Sequence, residues 1–262
     1  MTSKTEPRLL CYDLGEGVTA FSTTRHGGVS EANYASFNIN PYCGDSANHV
    51  ARNRQLLADR LGLPTSHIVL PHQVHGIEHR AVASELLDMS DAVRDKILDG
   101  VDMVTTSMTG VCIGVSTADC IPVLLYDPVA RATAAIHAGW RGTLQRICQR
   151  AVMAMQLHYG TPPDRLRAVV GPGISLANFE VGQEVYDQFA EAGFDLTETA
   201  EWHTKWHLDL PGINIRELIG CGVASEHIHH AGICTFDHAD DYFSARRLGI
   251  DSGRIYTGIL MR

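Results

Sequence analysis

Cys120, in Thr117-Ala118-Asp119-Cys120-Ile121-Pro122, is a thiol followed one hairpin's length later by an imidazole, His137, in Ile136-His137-Ala138-Gly139-Trp140-Arg141-Gly142-Thr143. Two more imidazoles stand upstream in Pro71-His72-Gln73-Val74-His75-Gly76. A thiolate with two imidazoles is the catalytic rather than the structural pattern for zinc, because a structural zinc takes four protein ligands and a catalytic one keeps a position open. The residue types predict a metal site on His75, Cys120 and His137 with Zn²⁺ bound. Copper is the alternative ion, since it binds such ligands more tightly in principle and yields to zinc through cellular availability.

The same atoms fit a reading without metal, in which Cys120 is a nucleophile, His137 its base and the Gly139 turn an oxyanion site. A buried Cys and two His with ordinary hydrogen bonds are the bland third reading. Spacing does not separate them. His72 is either the ligand in place of His75 or an acid/base group beside it, and His75 is preferred. The groups His203/His207 and His227/His229/His230 sit among polar residues with no facing Cys, so they read as surface or turn histidines. With one His-x-His, at His227 and His229, the inventory is too thin for oxygen reduction by several coppers.

Positioning these side chains requires strands that end near one another. Ile68 to Leu70 is a short apolar run ending at Pro71, so His72 and His75 leave a strand end. Val111–Thr117 and Ile121–Tyr126 are β-branched strand segments, and Asp127-Pro128 turns the chain before Ala132 to His137 runs back. Cys120 lies seven residues before Asp127 and His137 nine after Pro128, so antiparallel pairing is expected to bring His137 level with Cys120.

Leu144, Ile147, Cys148, Ala151, Val152 and Met155 then recur at helical spacing until Gly160, placing a helix N-terminus and Arg141 at the site. Ser46 to Leu63 is a second helix, with Asp45 or Ser46 as cap and Gly62-Leu63-Pro64 as stop. Leu166–Gly171 is a further strand and 182–192 a further helix. Arg25, in the Gly-punctuated loop Thr23-Thr24-Arg25-His26-Gly27-Gly28-Val29-Ser30, is either an anion ligand or a solvent-exposed turn residue.

No linker, repeat or charge block divides the 262 residues, so one domain over 1–262 is expected. A formal charge of −9 disfavours polyanions, which argues against nucleic acid. The N-terminus has no apolar stretch of signal-peptide length and no later run suits a membrane span. Seven cysteines without paired spacing point to a reducing cytoplasm rather than a disulfide framework. Protein partners are not legible.

Several segments in order resemble the bacterial laccase-domain family: Thr24-Arg25-His26-Gly27-Gly28-Val29-Ser30, Gln73-Val74-His75-Gly76, Ala118-Asp119-Cys120-Ile121-Pro122, His137-Ala138-Gly139-Trp140-Arg141-Gly142, Gly171-Pro172-Gly173-Ile174, Phe179-Glu180-Val181-Gly182 and Tyr242-Phe243-Ser244-Ala245-Arg246-Arg247. The resemblance spans nearly the whole chain. It implies an α+β fold of packed mixed β-sheets flanked by helices, similar to Cys–His toxin deamidase catalytic domains. It also implies zinc on His75, Cys120 and His137, with phosphorolysis of adenosine, inosine, guanosine and methylthioadenosine and deamination of adenosine. On that reading Arg25, Arg141 and Arg246 are the phosphate candidates and His72 or Asp119 the proton carriers. A copper-dependent polyphenol oxidase, a metal-free Cys–His hydrolase and a non-catalytic zinc-braced binding protein are the rivals. Where relatives often carry Cys before Tyr-Glu-Val, this chain has Leu176-Ala177-Asn178-Phe179, which leaves no extra thiol there.

Overall fold

A computed structural model describes residues 6–262. One mixed sheet holds Leu9–Tyr12 (β1), Val18–Thr23 (β2), Ile68–Val69 (β3), Cys112–Thr117 (β6) and Ile255–Met261 (β14) in the order β1-β2-β14-β6-β3. A second holds His79–Ala81 (β4), Met103–Thr106 (β5), Ile121–Asp127 (β7), Ala132–Ala138 (β8), Arg167–Val170 (β9) and Ile228–His230 (β13) in the order β13-β9-β7-β8-β5-β4. Glu180–Val181 (β10), Ala200–Trp202 (β11) and Trp206–Leu208 (β12) form a small third sheet. The helices are Ala47–Leu61 (α1), Ser84–Asp88 (α2), Asp91–Leu98 (α3), Trp140–Leu144 (α4), Ile147–Tyr159 (α5), Gln183–Glu191 (α6), Leu210–Gly220 (α7) and Ala245–Leu248 (α8).

Alternation along the central strands explains the layering. Ile113, Val115 and Ile259 from the first sheet pack with Val104, Leu124 and Ala135 from the second, filling the space between them. The opposite face of the second sheet, through Val123, Leu125, Ala134 and Ile136, packs on α5 and α7. The outer face of the first, through Phe21, Cys112 and Leu260, packs on Leu56, Leu57 and Leu61 of α1. The result is helix, sheet, sheet, helix: the expected α+β arrangement of packed mixed sheets flanked by helices.

Three local expectations are corrected. β7 and β8 pair as Ile121 with Ala138 and Pro122 with His137, so Cys120 lies just past the strand end and His137 two residues short of facing it. The four residues between Asp127 and Ala132, folded over the Asp127 carboxylate through the N–H groups of Val129 and Ala130, set that register. The helix after Trp140 is two helices, because Arg146 adopts a left-handed conformation (φ 60°) between them; the segment at the site has five residues. Ser46 occupies the N-cap of α1 without a side-chain cap bond, while the Asp45 carboxylate accepts from Ser30 and Asn38; Gly62, at φ 69°, stops the helix as expected.

Candidate metal centre

The 71–78 loop leaves β3 and carries His75 at φ 62°, a left-handed conformation costly for a residue with a Cβ. Asp102 offsets that cost. Its buried carboxylate accepts the N–H groups of Val74 (3.2 Å), His75 (3.0 Å) and Gly76 (2.7 Å), three in succession. Gln73 pins the same loop to β6, its amide exchanging two 2.8 Å hydrogen bonds with the backbone of Ser116.

Asp102 also accepts from His137 Nδ1 at 2.7 Å, fixing the ring and leaving Nε2 as the atom it could offer a metal. One carboxylate therefore orients an imidazole on β8 and the loop bearing the other. The two rings meet edge to face with centroids 4.8 Å apart. Cys120 comes in from the loop before β7, where Asp119 is left-handed (φ 88°) and held by the Thr235 hydroxyl (2.7 Å) and the Arg246 N–H (2.6 Å).

Ligand atoms of His75, Cys120 and His137 all lie within 4.8 Å of one another. His75 is exposed, Cys120 partly buried and His137 buried, so the cluster opens on one side. Burial would raise the Cys120 thiol, yet the charge and hydrogen bond of His137, with those of His75, lower it. Burial would lower His137, and the Cys120 charge together with the Asp102 hydrogen bond raises it instead. Burial would raise the Asp102 carboxyl, and its hydrogen bonds to His137, Gly76 and Val74 hold it below the ordinary carboxylate range. A soft thiolate, two imidazoles and an orienting carboxylate form a donor set that fits Zn²⁺ or copper. Because burial pushes Cys112 and Cys148 upward, Cys120 should alkylate ahead of both at neutral pH in chelator-treated protein, as peptide mapping after limited iodoacetamide would show.

Gly139 closes the back of the cluster. Its backbone (φ −69°) suits any residue, but a Cβ there would stand 3.1 Å from both Cys120 Sγ and His75 Cδ2. Gly139→Ala should therefore fold normally by circular dichroism and lose zinc affinity by about tenfold, an energy near 1.4 kcal/mol, in a chelator competition.

The cluster floors a cavity of about 910 Å³, at the upper end of the size usual for small-molecule sites. Trp140, Ile174 and Phe179 give it an apolar wall, and His72, Tyr42, Arg246 and Arg254 a polar one. The model of a family described as multi-copper polyphenol oxidoreductase laccase matches residues 19–262. The chain belongs to that family. It is 44% identical over 247 residues to a Bacteroides thetaiotaomicron protein named purine nucleoside phosphorylase, covering 93% of this chain and 92% of that one. It is 40% identical over 248 residues to a prokaryotic protein named adenosine deaminase RL5, covering 93% and 94%. The crystal structure of the Bacillus licheniformis hypothetical protein YfiH superposes with a TM-score of 0.91 at 29% identity, covering 98% of this chain and 97% of that one.

Around the laccase-family centre, the three arginines and the histidine singled out in the sequence as substrate contacts fall in different places. Arg246 lines the cavity, with its guanidinium on the carbonyls of Asn178 and Glu180. His72 lines it too, its Nδ1 2.6 Å from Asp99 and its ring stacked 4.3 Å from Tyr42. Arg25 holds the carbonyls of Ala35 and Ala239 and lies outside the lining, while Arg141 folds over its neighbour Trp140. Neither of those two faces the cavity. Both Asp119 oxygens are engaged, which makes it a loop clamp rather than a free proton carrier. His203 and His207 pack on each other at the third sheet, away from the lining. Sequence reading missed Asp102, Gln73, Tyr42 and Arg254. Among the described residues, one cluster of three or more His, Cys, Asp or Glu side chains could hold a metal, where a multi-copper site needs several.

Proposed function

We propose that the chain is a zinc-dependent purine nucleoside phosphorylase, acting on adenosine, inosine, guanosine and methylthioadenosine, that also deaminates adenosine. The observation that carries this reading is the convergence of His75, Cys120 and His137 at the floor of a cavity with guanidinium groups on its rim. The relatives' names support the two activities. Seven free cysteines suit a reducing cytoplasm, and no helix among the described residues is long and apolar enough to cross a membrane.

A bound zinc supplies Lewis acidity at the cavity floor. Trp140, Ile174 and Phe179 offer the purine an apolar wall. In phosphorolysis a phosphate oxygen bonds to ribose C1′ as the C1′–N9 bond breaks, its electron pair leaving with the purine, which takes up a proton at N7. Arg246 and Arg254, neither in an ion pair with a carboxylate among the described residues, hold the phosphate. His72, fixed by Asp99 through Nδ1, delivers the proton from Nε2. In deamination water adds at C6 and ammonia leaves, a step that needs no phosphate.

Arg246→Gln should therefore raise the phosphate KM about tenfold, the loss of one charged hydrogen bond, with adenosine deamination nearly unchanged. The backbone N–H that clamps Asp119 survives this substitution, so equal damage to both reactions would remove Arg246 from the phosphate site. The proposed function itself is tested by offering adenosine with and without phosphate. Free adenine should appear only with phosphate, and inosine in both. Oxygen uptake with phenols and no nucleoside turnover would establish the copper oxidase instead.

A further inference from the structure

A second cavity of about 340 Å³ lies between α1, the 65–70 segment and the α2–α3 pair, outside the metal centre. Arg54 of α1 lines it and donates one hydrogen bond, from Nη2 to the Ile68 carbonyl at 2.9 Å. No carboxylate lies within ion-pair distance of this guanidinium among the described residues, and its remaining donors have no protein partner there.

Arg54 shares the cavity with three other charged side chains, none of them within ion-pair distance of its guanidinium. Arg94 lines the same cavity and is paired with Asp91, so that pair cancels. Asp95 also lines it without forming an ion pair, and its charge offsets that of Arg54 only from beyond ion-pair distance, leaving the guanidinium donors free. Burial, aided by the Arg94 charge, lowers Arg54 from its ordinary value against the opposing influence of Tyr256, Tyr42 and Asp95. A partly buried guanidinium with free donors facing a cavity is a group built to receive an anion.

The rest of the lining defines the ligand's other half. Leu70, Leu86, Leu87 and Leu98 supply apolar lining, and Thr65 and Ser66 polar lining. We propose that this cavity is a second binding site, for a small organic anion with an apolar body, its carboxylate on Arg54 and its hydrocarbon against the leucines. Tyr42 lines both cavities and stacks on His72, so an occupant touches the wall of the metal-centre cavity from behind.

The probe is hexanoate, titrated by calorimetry into the full chain as purified. Wild type should bind one equivalent, and Arg54→Met should weaken that binding at least tenfold. Leu87→Trp, which fills the cavity while leaving Arg54 in place, should abolish it, with circular dichroism confirming the fold of each variant. Cys120→Ala should bind hexanoate as wild type does, which separates this site from the nucleoside reading of the metal centre. Inorganic phosphate, which lacks the apolar body, should show no Arg54-dependent binding. Absence of hexanoate binding to wild type, equal affinity in Arg54→Met, or loss in Cys120→Ala would overturn the proposal.

Discussion

Cys120→Ala should lose metal and nucleoside turnover together, turnover falling by roughly 10³-fold or more, while the fold persists. The thiolate is the one anionic ligand among the three, and without it two neutral imidazoles hold Zn²⁺ poorly. Little structure depends on the side chain: Cys120 is partly buried and stands on a loop clamped by Asp119, whose hydrogen bonds to Thr235 and Arg246 are untouched by the change. Metal analysis beside a thermal melt reads both halves of the expectation. Stoichiometric zinc in the variant would remove Cys120 from the ligand set. A wild type that keeps full turnover after chelation, yet is inactivated by alkylation of Cys120, would instead support the metal-free Cys–His hydrolase.

Asp102→Asn should weaken zinc binding by about 10- to 100-fold, the range typical for groups that orient a metal ligand. The carboxylate accepts four N–H groups, from Val74, His75, Gly76 and His137, and two oxygens are needed for that. Asparagine presents one oxygen and one NH₂, so at least one of these donors would face another donor. The result should be a misplaced His75 loop and a freed His137 ring. The sign of the pH dependence follows from the depressed Asp102 carboxyl. Its stabilising contribution is fully present above the ordinary carboxylate pKa and is lost as pH falls through its lower folded value. The difference in melting temperature between parent and variant should therefore be largest near neutral pH and close under acid. Unchanged zinc affinity would show that His75 and His137 are placed by other contacts.

The grouping of Cys120 and His137 was legible because they stand at the open ends of one hairpin, and His75 because its loop leaves a short apolar strand at Pro71. The clamp behind them was not. Asp102 reads as a polar residue before an apolar strand, and its partners lie 35 residues away at His137 and 26 to 28 away in the 74–76 loop. The pairing of β5 with β8 brings Asp102 to His137, and the pairing of β4 with β5 brings it to the 74–76 loop. Arg25 and Arg254 show the same limit: both are arginines near glycines whose guanidinium groups donate to backbone carbonyls, and only the tertiary fold places Arg254 in the cavity lining and Arg25 outside it. The helix split at Arg146 was hidden because apolar spacing continues across it, and a single left-handed residue leaves no periodic trace.

The decisive measurement is a zinc titration of chelator-treated protein, following phosphate-dependent release of adenine from adenosine at each addition. Turnover should rise from near zero in proportion to zinc and level off at one equivalent per chain. Adenine release that persists without metal would contradict a metal centre on His75, Cys120 and His137, as would zinc uptake to one equivalent with no nucleoside turnover at all contradict the reaction assigned to it.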